Sequence, residues 1–231
     1  MDVSTNPTEA AATRPVKVWD APTRLFHWAI VVLVFTSWAT AHFEWMGWHL
    51  WSGYAVFTLL VFRVLWGLLG SETARFVRFV HSPAAAFRHL RVFHRREPDT
   101  EMGHNAAGGW MVLLLLGLLG FQVATGLCAN DQALTEGPFA EQVGQDTSDW
   151  LTHIHRLTFT AIEVAVLVHV LAVAAYMMIR RHDLVRPMIT GFKRLPEGLR
   201  APRMRSPLLA LACLAVAVGV VVFVIDTYGV T

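Results

Sequence analysis

Residues 151–179 read LTHIHRLTFTAIEVAVLVHVLAVAAYMMI. From Leu157 onward the stretch is almost wholly apolar, with Glu163 as its single acid and no Lys or Arg. That is long enough for a bilayer-crossing helix, which takes roughly 20 residues. His155 and His169 stand fourteen residues apart within it. At about 1.5 Å and 100° per residue, the second lies roughly 21 Å further along and returns to within about 40° of the first. The two imidazoles share one face, one near each membrane surface, a spacing that suits axial ligation of two haems stacked across the bilayer. His153 fails the same test. It lies about 160° from His169 and points away from the bundle, toward the outer interface or a partner.

Four more apolar blocks lie near 24–43, 49–70, 106–128 and 207–226, so the spacing predicts five transmembrane helices and an all-α integral membrane protein. Composition agrees: 55% of the 231 residues are hydrophobic and 16% charged, and mean hydropathy is +0.45. An ordinary soluble domain is excluded by these values. A net charge of only +2, with the basic residues lying between the apolar blocks, argues against nucleic-acid binding. Cys128 and Cys213 fall in different blocks, which excludes a disulfide framework and a zinc site, and without a Cys-x-x-Cys-His motif covalent c-type haem is excluded too. The first 23 residues are polar, so the first span is expected to insert uncleaved, behind a mobile tail around Ser4 to Thr13.

Every Lys and Arg except Arg63 and Arg156 lies in the N-terminal segment, in 71–105 or in 180–206, whereas the connection 129–150 has five acids and no base. Positive flanks remain cytoplasmic. The N-terminus is therefore expected in the cytoplasm and the C-terminus outside. The expected organisation is a cytoplasmic segment 1–23, a four-helix core 24–191 and a basic linker with the fifth helix at 192–231.

Each imidazole of the fourth span needs a partner across its haem. His27 begins the first span at the depth of His169, and His49 begins the second at the depth of His155. His42 competes with His49 for the outer position, although it lies about 60° out of phase with His27. His81, His89, His94 and His182 sit in the basic segments and read as solvated or headgroup-contacting residues.

Four stretches resemble the bacterial di-haem b-type cytochromes of the cytochrome b561 type, which include the membrane cytochrome b subunits of nickel-iron hydrogenases. They are Asp20-Ala21-Pro22-Thr23-Arg24-Leu25-Phe26-His27-Trp28; His49-Leu50-Trp51-Ser52-Gly53 with Arg63-Val64-Leu65-Trp66-Gly67; Gly103-His104-Asn105 with Thr125-Gly126; and His155-Arg156-Leu157 with His169. The likeness covers roughly 17–191. It implies a four-helix core with two non-covalent haem b groups, favours His49 over His42, and implies electron transfer between a partner outside the membrane and the quinone pool. Two departures from the hydrogenase subunits are a shorter first outer loop, 44–48, and the fifth span. The shorter loop offers less docking surface, so a periplasmic c-type cytochrome or another oxidoreductase stands beside a hydrogenase as the expected partner.

Arg63 lies fourteen residues after His49 and shares its face at cytoplasmic depth, where a guanidinium can pair a haem propionate. Arg24 can assist there and Arg156 can serve the outer haem, or both snorkel to the interface. Gly53, Gly117, Gly120 and Gly126 allow close approach of a helix or a macrocycle. Glu163, mid-span, is a candidate for proton delivery to quinone or a neutral carboxyl facing the fifth helix. His104 and Asn105 can cap the third span or touch quinone. Trp38, Trp45, Trp48 and Trp51 form an interfacial belt.

The expected role is that of an electron-transfer subunit of an oxidoreductase, with no catalytic side chain assigned. A self-contained oxidoreductase passing electrons from superoxide or another small reductant to quinone is the first alternative, and a non-haem proton-coupled transporter the second. Reporter fusions at residue 95 and after Thr231 are expected to report opposite sides of the membrane, and the same side for both would sink the five-span reading.

Overall fold

The computed structural model describes residues 12–95, 99–133 and 135–228. Arg96 and Ser4 to Ala11 lie outside the described residues. The elements are β1 (Thr13–Lys17), α1 (Ala21–His42), α2 (Met46–Leu69), α3 (Phe76–Phe79), α4 (Pro83–Arg91), α5 (Ala106–Gly126), α6 (Ala140–Val143), α7 (Gln145–Ala175), α8 (Val185–Thr190), β2 (Phe192–Pro196) and α9 (Pro207–Tyr228). A short 3₁₀ turn follows α2 at Glu72–Ala74 and a π turn extends α7 at Tyr176–Arg180. Among the described residues five helices are long and apolar enough to span a membrane: α1, α2, α5, α7 with its π turn, and α9. These are the five expected spans, the fourth beginning earlier than its apolar run because Gln145–Trp150 continues the helix as a polar turn and a half.

Local chemistry sets the helix ends. Asp20 caps α1, its Oδ1 accepting from the Thr23 amide at 2.7 Å, and Pro22 sits in the first turn, where its missing N–H costs nothing. Asn105 caps α5 in the same way, accepting from Gly108 N at 2.8 Å. At the other end α1 and α2 are joined by three residues, and Glu44 takes a left-handed conformation (φ 59°) to close the turn. Successive long helices therefore run antiparallel, which gives the molecule a basic end, carrying residues 71–105 and 180–206, and an acidic end carrying 127–144.

The four helices α1, α2, α5 and α7 meet at an aliphatic waist made of Ile30, Val56, Leu60, Leu119 and Ile162. Ile162 lies midway between His155 and His169 in the sequence, so the packed layer separates the two imidazole levels. Away from it the helices pair off, α1 with α2 and α5 with α7, while α9 lies along α2. There Ala210, Cys213 and Ala217 pack on Phe62 and Trp66, the small side chains letting the two helices close up.

One element departs from expectation. Thr13 does not belong to a mobile tail: β1 pairs antiparallel with β2, Thr13 opposite Pro196 and Lys17 opposite Phe192. The N-terminal segment and the basic linker thereby form one ribbon whose buried side, Val16, Val18, Trp19 and Leu195, closes the basic end. Thr73 Oγ1 donates to the Val18 carbonyl at 2.7 Å and ties that ribbon to the end of α2.

Candidate functional site

At the acidic end the structure brings His49 of α2 and His155 of α7 together, with ring centroids 6.1 Å apart and planes perpendicular at 89°. Each ring is oriented by a main-chain carbonyl. His49 Nδ1 lies 2.9 Å from Ser37 O and His155 Nδ1 lies 2.9 Å from Gln122 O. A carbonyl accepts only, so both Nδ1 atoms carry the proton and Nε2 is the lone-pair nitrogen, the arrangement found where imidazoles ligate metals. The Gln122 amide nitrogen stands 3.1 Å from His155 Nε2, and its Oε1 is buried without a partner. Gly126 makes room for the ring, since a Cβ there would lie 2.8 Å from His155 Cε1. His42 is elsewhere: exposed, it stacks on Trp38 at 5.6 Å, and Trp38, Trp45, Trp48 and Trp51 are exposed around it.

At the basic end His27 of α1 lies within reach of the charge of His169 of α7. Nδ1 of His27 is buried with no hydrogen-bond partner. Arg63 is 3% exposed and rests against the rings of Phe76, Phe79 and Phe26, with its guanidinium carbon 4.9, 5.9 and 6.0 Å from their centroids. Gly67 permits this, because a side chain there would collide with the Phe76 ring. The nearest acid, Asp20, has both oxygens engaged, by the Thr23 amide and by Trp66 Nε1. Nη1 of Arg63 is thus a buried cationic donor without an acceptor, an arrangement that costs several kcal/mol, on the order of the figures for broken buried pairs, unless an anion reaches it. His104, just before α5, sits with its ring 4.8 Å from Trp19 and 4.9 Å from Phe79. Burial, followed by the charges of Arg63, His169 and His27, pushes it down to about 3, so it is neutral at ordinary pH.

The donor set identifies the kind of group these residues fit. Among the described residues no three His, Cys, Asp or Glu side chains converge, so a cage of protein ligands alone does not suit it. Two opposed imidazoles about 6 Å apart match a metal ion bonded at roughly 2 Å to each, provided the other ligands come with the cofactor, as a porphyrin supplies them. Residues 18–191 match the family described as prokaryotic cytochrome b561. The chain belongs to that family. It is a b-type cytochrome, a multi-pass membrane protein of electron transport whose cofactor is haem b.

Curated relatives of this cytochrome are named probable Ni/Fe-hydrogenase B-type cytochrome subunits. The protein of Azotobacter chroococcum mcd 1 is 24% identical over 79% of this chain and 90% of its own length. That of Cupriavidus necator is 25% identical over 78% and 87%, and that of Bradyrhizobium diazoefficiens 24% over 82% and 90%. No solved structure matches the chain.

Other candidate residues of the cytochrome fall in varied places. Arg24 donates from Nη1 to the Ile189 carbonyl, which joins α1 to α8. Arg156 and Glu163 are exposed on α7, and α9 lies on α2, so Glu163 does not face the fifth helix. Gly53 has nothing within 4 Å of where a side chain would begin, one turn along α2 from His49. Gly117 and Gly120 likewise have nothing within 4 Å, so of their two expected uses no helix takes the first. Asn105 caps α5 and also reaches the Tyr176 hydroxyl. His89 is not merely solvated, since its Nε2 lies 2.7 Å from the same hydroxyl. Gln122, Asp20 and Trp66 were not singled out as site residues from the sequence. The sequence holds no periodic signal for them, because each works through a partner distant along the chain.

Replacing Gly126 with Ala is expected to push the His155 ring off the Gln122 carbonyl and destabilise the protein by about 1–3 kcal/mol. Thermal unfolding in detergent, read beside the haem spectrum, checks this; an unchanged midpoint and spectrum would show that the neighbours yield without cost.

Proposed function

We propose that the protein is a di-haem b cytochrome of a bacterial inner membrane that transfers electrons between an oxidoreductase on the outer face and the quinone pool. In this reading His49 with His155, and His27 with His169, are the axial ligands of two haem b groups. The observation that carries it is the perpendicular His49/His155 pair, 6.1 Å apart with both Nδ1 atoms committed to carbonyls. Haem b supplies a one-electron carrier at each site. The chain's contribution is orientation and field: Ser37 and Gln122 fix the outer imidazoles by their carbonyls, Gly53 and Gly126 leave space beside them, and Arg63 offers its free Nη1 to a propionate. Arg24 and Arg156 add positive charge at the two levels. His104, Asn105 and Glu163 are the candidate quinone or proton residues, with Asn105 the best placed because it reaches the Tyr176 hydroxyl, which His89 also meets at the basic end.

The relatives' names make a hydrogenase the first partner to test, with a periplasmic c-type cytochrome or another oxidoreductase next. The N-terminus is then cytoplasmic and the C-terminus periplasmic, with residues 24–191 as the haem core. Membership in a b-type cytochrome family weighs against the non-haem transporter. Quinone reduction by the isolated protein with superoxide or a small reductant would favour the self-contained oxidoreductase.

Haem content per polypeptide tests the ligand set. His49→Ala and His155→Ala are each expected to lose the outer haem and keep the inner one, His27→Ala and His169→Ala the reverse, and His42→Ala to keep both. Loss of a haem in His42→Ala with retention in His49→Ala would exchange the two histidines.

Arg63→Leu probes the propionate contact separately. Removing a cation favours the oxidised iron, so one midpoint potential is expected to fall by on the order of 50 mV while the other moves much less. Redox titration followed optically measures both, and equal shifts or none would remove Arg63 from the haem site.

A further inference from the structure

At the basic end, away from the histidines, the segment after α2 and the segment before α9 enclose a cavity of about 340 Å³. Arg75, Arg78, Arg200, Arg203 and Arg205 line it, with Glu72 as the acid among them. Five cations against one anion exceed the net charge of the whole chain, +2. The segment before α9 is held to the segment after α2 through main-chain amides, and of the five guanidinium groups Arg75 donates from Nε to Gly70 O at 2.9 Å and Arg78 pairs with Glu72. Glu72 N donates to Arg203 O at 3.0 Å and Arg203 N donates back to Glu72 Oε2 at 3.0 Å, and Arg205 N donates to Ser71 Oγ at 2.9 Å. Glu72 is further occupied by Arg78 at 2.9 Å. The Arg203 amide, with Arg78 and the other arginines, holds its carboxyl below the usual carboxylate range, so it remains ionised and neutralises only part of the charge. The guanidinium groups of Arg200, Arg203 and Arg205 have no hydrogen-bond acceptor among the described residues.

A cluster of forked donors around a cavity, short of anions, is suited to phosphate oxygens, which arginine binds bidentately. Position narrows the source. The cavity opens where α2 ends and α9 begins, at the level at which two spans leave the hydrocarbon, and basic pockets there take lipid headgroups. Directly toward the bilayer lie exposed aliphatic side chains, Leu68 and Leu69 on α2 and Leu208 and Leu211 on α9, each at least half exposed. Those leucines stand within a few residues of the cavity's lining along the chain and offer acyl chains an apolar surface.

We infer that this cavity is a phosphate-binding site occupied by the headgroup of an anionic phospholipid, clamped between the α2 and α9 segments. The site is independent of the haem ligands. It makes the cation cluster more than a topogenic signal, since it ties the fifth helix to the core through a lipid.

The haem-loaded cytochrome can be purified in mild detergent and analysed by native mass spectrometry after exposure to phosphatidylglycerol, cardiolipin or phosphatidylcholine. Thermal unfolding with added inorganic pyrophosphate forms a second arm. The double variant Arg200→Gln/Arg203→Gln is compared with Arg88→Gln/Arg91→Gln, which removes the same charge from α4 outside the cavity. Anionic lipid is expected to stay bound to the wild type and to the α4 variant, and to fall roughly tenfold or more in the cavity variant. Stabilisation by pyrophosphate with the same variant dependence, but without retained lipid, would keep the phosphate site and assign it to a free anion. Equal loss in both double variants, or no preference for anionic lipid and no pyrophosphate effect, would overturn the proposal. Glu72→Gln removes the one acid yet keeps an oxygen for the Arg203 amide, and is expected to tighten anion binding severalfold. Unchanged or weaker binding by Glu72→Gln in protein with full haem content would also count against the site.

Discussion

In hydrocarbon a helix satisfies its own backbone, so every polar side chain on it must find a partner nearby or leave an atom unpaired. Several hydroxyls of the spans meet the requirement locally, although Thr23 Oγ1 is buried without a partner. Thr36, Thr40, Thr58, Thr125 and Thr158 each donate to the carbonyl one turn back, at 2.8–3.0 Å. The imidazole, guanidinium and amide groups do not all do so. His27 Nδ1, Arg63 Nη1 and Gln122 Oε1 are buried without partners, and the histidine and the arginine lie at the basic end while the glutamine stands beside His155 at the acidic end. Stability alone has no use for such atoms, whereas a propionate of the proposed inner haem would give the arginine its acceptor.

The aliphatic waist explains how two such sites coexist in one small bundle. Ile30, Val56, Leu60, Leu119 and Ile162 draw α1, α2, α5 and α7 together at mid-depth, and the helices can diverge above and below that level. At the acidic end the divergence is bridged by His49 and His155, each carried by a helix whose neighbour supplies the orienting carbonyl, Ser37 from α1 and Gln122 from α5. All four helices thereby take part in one imidazole pair. At the basic end the organising group is the Asp20 carboxylate. One oxygen starts α1 and the other receives Trp66 near the end of α2, which places His27 and Arg63 at a common depth and leaves Arg63 without a carboxylate of its own.

Hydrophobic periodicity carries far in such a protein because lipid allows so few alternatives. The five spans and the shared face of His155 and His169 follow from residue spacing, whereas depth allows either His42 or His49 opposite His155 and the structure sets His49 there. Contacts between segments distant in the chain do not. The ribbon joins TRPVK to FKRLP across most of the sequence, and neither strand is long or regular enough to announce itself. Asp20 with Trp66, and His89 with Tyr176, are equally non-local. The glycines show why composition misleads: Gly117 and Gly120 permit a close helix, but permission is not contact, whereas Gly126 is filled by an imidazole that no small-residue rule anticipates.

The fifth helix can be placed in the same terms. The family match ends at residue 191, and α9 begins at Pro207, yet α9 packs along α2, the helix that carries both His49 and Arg63. Ala210, Cys213 and Ala217 bring it close against Phe62 and Trp66, so it covers the neighbours of Arg63 and the hydrogen-bonded indole that fixes Asp20. Lipid on that side would leave the Trp66 N–H to Asp20 bond near the hydrocarbon boundary, open to water from the basic end. The apolar run of α9, with small side chains where it meets α2, excludes both without bringing a charged group to that end. Its effect on the candidate site is therefore indirect: it keeps the surroundings of Arg63 dry, and in a dry surrounding a single cation changes the potential of a nearby iron far more than it would in water.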